Sequence, residues 1–274
     1  MTGTAMHPFV ALMRTYCIDY TNSHDQTIYD RIMEPDYVLH MMGATLQGRD
    51  EAYAPAVTRV YDEYPGLGLV VHEFVLNGDR LCMRFSEHGA SIRHAGRLAS
   101  WRGIGLYRWN GRRLVENWVE QDYAGRDRQL ASGVPTPLDP VHLDPWTTTV
   151  PVPEDPTAVA AARRFLETGD LTAATGEVVV DDSDVTGGVA RVVDVDAVTI
   201  DDLFSAGPRV AFHVTLHGRY EGGLHGVDPT AVGEPVDLAV AGVADVSENG
   251  SIRNLRSVTG SAAIMRRLRP RPSA

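Results

Sequence analysis

The sequence predicts an α+β protein in tandem: two units in series, each a curved antiparallel sheet packed on N-terminal helices. Residues 7–63 read mainly as helices and residues 67–121 as a run of strands, the order in which helices gather on one face of an antiparallel sheet. Residues 133–156 hold seven prolines and no periodicity, which marks a stiff connector. Beyond it the pattern returns, and segment 209–218 (RVAFHVTLHG) lies on segment 80–89 (RLCMRFSEHG) without a gap. The expected units are therefore 1–132, a linker 133–156, a second unit 157–268 and a basic tail 269–274.

In the first unit, Phe9, Leu12, Met13, Tyr16, Cys17 and Tyr20 recur at spacings of three and four, so His7–Asn22 is a helix with one apolar stripe. Asp25 is placed to cap a short helix, Gln26–Met33. Tyr37–Met42 is a strand, and Arg49–Glu63 a helix stopped by Pro65-Gly66. Two hairpins follow, Leu67–Leu76 with Asp79–His88 and Leu98–Trp109 with Arg112–Gln121, each expected to turn through a two-residue Asn-Gly loop. In the second unit Thr157–Thr168 is a helix, Thr199–Phe204 a short helical candidate, and 236–258 a hairpin turning at Asn249-Gly250.

Composition limits the function classes. The 274 residues carry a formal net charge of −11, against clustered contact with nucleic-acid phosphates. No apolar run approaches the eighteen or so residues that span a membrane, and residues 1–7 lack a secretion pattern, so a cytoplasmic protein is expected. Cys17 and Cys82 read as buried thiols. The ten histidines are scattered, and neither a metal site nor a phosphate loop is legible, so no cofactor is expected.

The stretch 111–130 carries the chemistry. Gly111, then Leu114-Val115-Glu116-Asn117-Trp118, Asp122 and Arg128-Gln129-Leu130 resemble the last strand of SnoaL-like polyketide cyclases, a family of the nuclear-transport-factor-2-like superfamily of α+β cone folds. The resemblance implies a metal-free and cofactor-free intramolecular aldol closure in which the Asp four residues after the Trp is the general acid/base. It carries that role onto Asp122, which could otherwise simply cap a turn.

By strand alternation Glu116, Trp118, Glu120 and Asp122 share a face, on which Trp118 would wall a pocket and Glu120 is expected to point into water. His40 is a second acid/base candidate or a core histidine, and Met42 a pliable apolar lining. Arg84 shares a face with Ser86 and His88 and could bind an anion; it departs from the Arg-X-Asp pattern of limonene-epoxide-hydrolase-like relatives, which leaves epoxide opening as the alternative chemistry. Trp101 lies on the face of Gly103 and Gly105, where a bend, a close ligand or aromatic packing could each account for the glycines; Tyr16 is core or pocket hydroxyl.

Registering Ile252 on Leu114 sets Gly260 opposite Asp122 and Arg256 opposite Trp118, so the second unit lacks the acid. It is expected to cover the sheet of the first as an intramolecular pseudo-dimer, with a homodimer as the other arrangement. The expected partner is a small apolar metabolite, and a non-catalytic binder of such a molecule is the reading from another class.

Overall fold

The computed structural model describes residues 6–137, 139–181 and 192–269. The first helix begins at Pro8, whose missing N–H costs nothing at a helix start, with the His7 side chain accepting from the Phe9 N–H. It runs as α1 (Pro8–Arg14) and continues in π-helical turns over Thr15–Asn22. Asp25 accepts from the Thr27 N–H and caps a 3₁₀ turn that leads into α2 (Tyr29–Ile32). Strand β1 (Met33–Met41) turns through Met42 and Gly43, both at positive φ, into β2 (Ala44–Gln47), a short edge strand that the sequence reading did not include. The next helix opens with π-helical Arg49–Tyr53 and continues as α3 (Ala54–Glu63).

The meander follows: β3 (Gly68–Leu76), β4 (Arg80–Ser91), β5 (Arg97–Trp109) and β6 (Leu114–Gln121), ending at α4 (Tyr123–Ser132). Both hairpin turns are longer than expected. Trp109 pairs with Leu114, so the loop spans 110–113, and Asn110 Oδ1 accepts from the N–H groups of Arg112 and Arg113. Asn77 does the same for Asp79 and Arg80. An Asn side chain that takes over two loop donors makes the wider turn as stable as the tight one. The sheet order is β2-β1-β6-β5-β4-β3, with β1 parallel to β6 and the other pairs antiparallel.

The proline-rich segment is docked along β3. His142 and Val152 donate backbone hydrogen bonds to Val71 and Leu76, and the ring of Trp146, in the short helix α5 (Pro145–Thr148), meets Phe74 edge-on. Asp155 caps α6 (Pro156–Leu166). Strands β7 (Val179–Val180), β8 (Val193–Ala206), β9 (Arg209–Tyr220), β10 (Pro235–Val246) and β11 (Ile252–Thr259) then form a sheet of order β7-β11-β10-β9-β8, closed by α7 (Ser261–Leu268). The helical candidate Thr199–Phe204 lies inside β8, where pairing with β9 overrides a weak local preference. Of the expected tail, only Arg269 lies within the described residues.

The two sheets repeat one topology. In each, the first strand is parallel to the last, three antiparallel strands follow in order, and a helix closes the unit. Strands β4 and β9 start at Arg80 and Arg209; β6 and β11 end one residue before Asp122 and Gly260. The sheets face each other across a core of Val75, Cys82, Ile104 and Leu106 against Phe204, Ala211 and Val243. Arg209 grips Glu73 with Nε and Nη2 at 2.8 and 2.9 Å, and Arg80 and Arg108 both reach Asp202. The glycines on the first sheet have a packing cause: a Cβ on Gly103 would sit 2.3 Å from the Phe85 ring, and one on Gly105 2.9 Å from Tyr107. Gly242 makes the same room for Phe212 in the second sheet.

Candidate active site

The helices and the concave face of the first sheet enclose a cavity of about 770 Å³, inside the range of roughly 300–1,000 Å³ usual for small-molecule sites. The second sheet has an apolar core of its own, in which Leu166, Phe212, Leu216 and Leu255 pack together. The cavity is walled by the odd-numbered residues of the meander, since one face of a strand carries every second side chain. Phe85 and Glu87 come from β4, Tyr107 from β5, and Asn117, Val119 and Gln121 from β6.

Its upper wall is phenolic. Tyr16 and Tyr20 come from the π-helical turns, Tyr37 from β1, Tyr53 from the third helix and Tyr107 from β5. The Tyr20 hydroxyl donates to that of Tyr53 at 3.3 Å, and Tyr16 meets Tyr107 edge-on at 5.9 Å. Burial holds Tyr16, Tyr53 and Tyr107 well above the usual phenol range and pushes Tyr20 up to about 12. All of them are therefore neutral hydrogen-bond donors at physiological pH.

Glu87 is the carboxyl inside this wall. It is 8% exposed, and burial pushes it up to about 7, while the charge of Arg126 and hydrogen bonding from Trp101 and Gln121 oppose the shift. Its two neighbours are tied to each other: Trp101 Nε1 donates to Gln121 Oε1 at 2.7 Å, and the Trp101 ring packs on Tyr64 and Tyr123. Asn117, 2% exposed, has its Oδ1 buried with no partner among the described residues. A buried amide oxygen left without a donor is costly, and a ligand hydroxyl or N–H would satisfy it. Among the described residues no group of three or more His, Cys, Asp and Glu could hold a metal ion.

The residues singled out from sequence divide between the two faces of the sheet. Tyr16 and Met42 line the cavity, and Trp101 stands directly behind its wall. Asp122 sits at the end of β6, where its Oδ1 accepts from the Gly125 N–H at 2.7 Å and caps α4, outside the cavity lining. His40 stacks on Trp118 at 4.9 Å and bonds Glu116 and Thr45, while Arg108 covers the same Trp118 ring at 4.6 Å. Arg84 does lie between two carboxylates, Glu73 and Asp139, but on the face turned to the second sheet.

Glu120 does not reach water, contrary to expectation. It is fully buried, accepting from the Met42 N–H at 2.9 Å and pairing with His213, which also bonds Asp201. Burial raises the Glu120 carboxyl; it pulls His213 down, but Asp201 and Glu120 more than offset this, and His213 stays protonated more readily than a free imidazole.

Glu87 was missed because the polar residues Arg84, Ser86 and His88 drew attention to the other face of β4. The available signal was the odd series Leu81, Met83, Phe85, Glu87, a core-facing run that ends in a carboxylate.

No curated protein sequence matches the chain. Residues 11–130 match the model of the family SnoaL-like polyketide cyclase. Among solved structures the chain is similar to IdmH from Streptomyces antibioticus, a proposed polyketide cyclase, at 21% identity over 45% of this chain and 98% of that one, with a TM-score of 0.40. It is similar to TsrD from Streptomyces laurentii at 23% identity over 46% and 96%, TM-score 0.40, and to AclR from Streptomyces galilaeus, a proposed hydroxylase, at 16% over 47% and 98%, TM-score 0.41. The matched residues, 11–130, supply most of the cavity wall.

Proposed function

We propose that the protein catalyses cofactor-free proton transfer on a small, largely apolar carbonyl compound held in this cavity, with Glu87 moving the proton. The observation that carries the reading is one carboxyl, buried among phenols and apolar side chains, whose pKa of about 7 suits both removal and return of a proton near neutral pH. The family match to residues 11–130 supports the class of chemistry.

In this reading the Glu87 carboxylate takes a proton from the carbon next to the substrate carbonyl, and the C–H electron pair passes into the enolate. The neutral phenols of Tyr16 and Tyr53 donate to the enolate oxygen, with Tyr20 donating in turn to Tyr53, fixed dipoles aimed where charge develops. The enolate carbon then attacks a second carbonyl of the same molecule. One C–C bond forms, the new alkoxide takes the proton back from Glu87, and the product is an isomer of the substrate. Asn117 accepts from a ligand hydroxyl.

The test starts with denaturing mass spectrometry of the purified protein, to identify any compound carried in the cavity, followed by turnover of that compound or of a screened diketone. Glu87→Gln is expected to keep the affinity and lower turnover by roughly 10²–10⁴-fold, the usual contribution of a positioned acid/base. Unchanged turnover would refute the role of Glu87. Affinity with no product at any pH would make the protein a binder, and labelled oxygen from water in the product would make it an epoxide hydrolase.

A further inference from the structure

The cavity is not closed by the first unit alone. Arg266, from α7 in the second half of the chain, stands in its lining beside Met42, to whose Sδ its Nη2 points at 2.9 Å. Helices α4 and α7 pack together, and Arg126 on α4 lies over the rings of Tyr123, Trp101 and Tyr64 at 4.2, 5.5 and 5.8 Å. Both guanidiniums act electrostatically on the Tyr123 hydroxyl, so they converge on one place in the wall.

That end of the cavity carries the opposite charge to the protein as a whole. The chain has a net charge of −11, yet Arg59, Arg93, Arg126, Arg266 and His94 line the cavity against Glu63 and Asp127. Glu63 is taken by Arg93 at 2.6 Å and Asp127 by Arg126 at 2.9 Å, whereas no carboxylate among the described residues lies within ion-pair distance of Arg266. The reach across the halves is also reciprocal. The register that sets Ile252 on Leu114 sets Arg266 on Arg128, and Arg128 acts on Asp181, a buried carboxyl of the second half.

We infer that Arg266 and Arg126 hold a carboxylate of the ligand, which is thus an amphipathic acid: an apolar carbonyl body turned toward the tyrosines and Glu87, with its carboxylate at the arginine end. This rests on the cavity reading above and adds the ligand's charge. It also gives the second half a direct part in the site, since it supplies one of the two cations. A guanidinium can meet a carboxylate with two parallel N–H donors, which fixes the direction in which the body enters.

The test uses the full chain, N-phenyl-1-naphthylamine as a neutral fluorescent reporter, and two competitors of the same shape, 2-naphthoate and its methyl ester. Displacement constants are measured for the wild type, Arg266→Ala and Arg267→Ala. Arg267 is one position along on the same helix and outside the lining, so it controls for net charge and helix stability. Arg266→Ala is expected to weaken naphthoate by about three- to fivefold, the upper range of a partly exposed ion pair, and to leave the ester within about twofold. Arg267→Ala should change neither. Equal loss of both competitors, no loss of naphthoate, or the same loss in Arg267→Ala would overturn the inference while leaving the cavity as a binding site. Failure of the reporter to bind the wild type would remove the cavity reading itself.

Discussion

Replacing Glu87 by Gln should stabilise the protein above neutral pH and have much less effect in acid. The folded carboxyl sits at about 7 against an ordinary 4.5, and each pKa unit is worth about 1.4 kcal/mol, so ionising Glu87 in place costs about 3 kcal/mol. Between these two values the folded chain keeps a proton that the unfolded chain has released. Stability from this group is therefore fully present below pH 4.5 and gone once pH has risen through 7. Gln has no such slope, so the variant's advantage over wild type should grow by about 3 kcal/mol between pH 4.5 and 8. The assay is paired urea unfolding at pH 5, 6, 7 and 8, followed by tryptophan fluorescence. Glu120, Asp181 and His213 also titrate abnormally, but they are common to both proteins and cancel in the difference. A stability difference that is the same at pH 5 and pH 8 would show that Glu87 is not held as a high-pKa carboxyl, and the proton-transfer role would lose its basis.

Other perturbations follow from the same geometry. Turnover should rise with pH as Glu87 ionises, with an inflection near 7 in kcat/KM; an inflection near 4 would point to a solvated carboxylate instead. Gly103→Ala drives a Cβ to 2.3 Å from the Phe85 ring and should cost about 1–3 kcal/mol as overpacking; thermal melts should show partial recovery in the double variant with Phe85→Leu. Glu120→Ala leaves the Met42 N–H and His213 without their acceptor and should cost about 3–5 kcal/mol, the range for breaking a buried pair, whereas Glu120→Gln, which keeps an acceptor oxygen, should cost less in the same unfolding assay. Because the second sheet already covers the first within one chain, light scattering at micromolar concentration should return the 29.9 kDa monomer mass, and a constant dimer mass would contradict that arrangement.

Much of the fold was legible because its signals are local. The apolar stripe of residues 9–20, the Asp25 cap and the four meander strands each declare themselves within a dozen residues, and the gapless match of 80–89 to 209–218 corresponds to strands that begin at matching arginines. The turns were harder. Asn-Gly suits a two-residue loop, but an Asn side chain that bonds two following N–H groups suits a four-residue one equally, and only cross-strand register separates them.

Which face each polar candidate would occupy was hard to read for a deeper reason, which lies in the pairing of two sheets within one chain. Alternation tells which strand residues share a face, and it does not tell which face is concave. In a single curved sheet the face turned from the cavity meets water, so a polar series such as Arg84, Ser86, His88 or Glu116, Trp118, Glu120 reads either as solvent surface or as pocket wall. A second sheet in the same chain adds a third environment. There His40 and Arg108 sandwich Trp118, Arg84 and Arg209 share Glu73, and Glu120 is sealed against His213. Polar pairs such as Arg209 with Glu73 and His213 with Glu120 tie one sheet to the other. The cavity face of the first sheet carries aromatic and apolar residues together with Asn117, Gln121 and the buried carboxyl of Glu87. In two sheets paired this way, an acid that ends an apolar series, as Glu87 does, is the sequence signal for a carboxyl on the cavity face, and the richly polar face is the one that meets the other sheet.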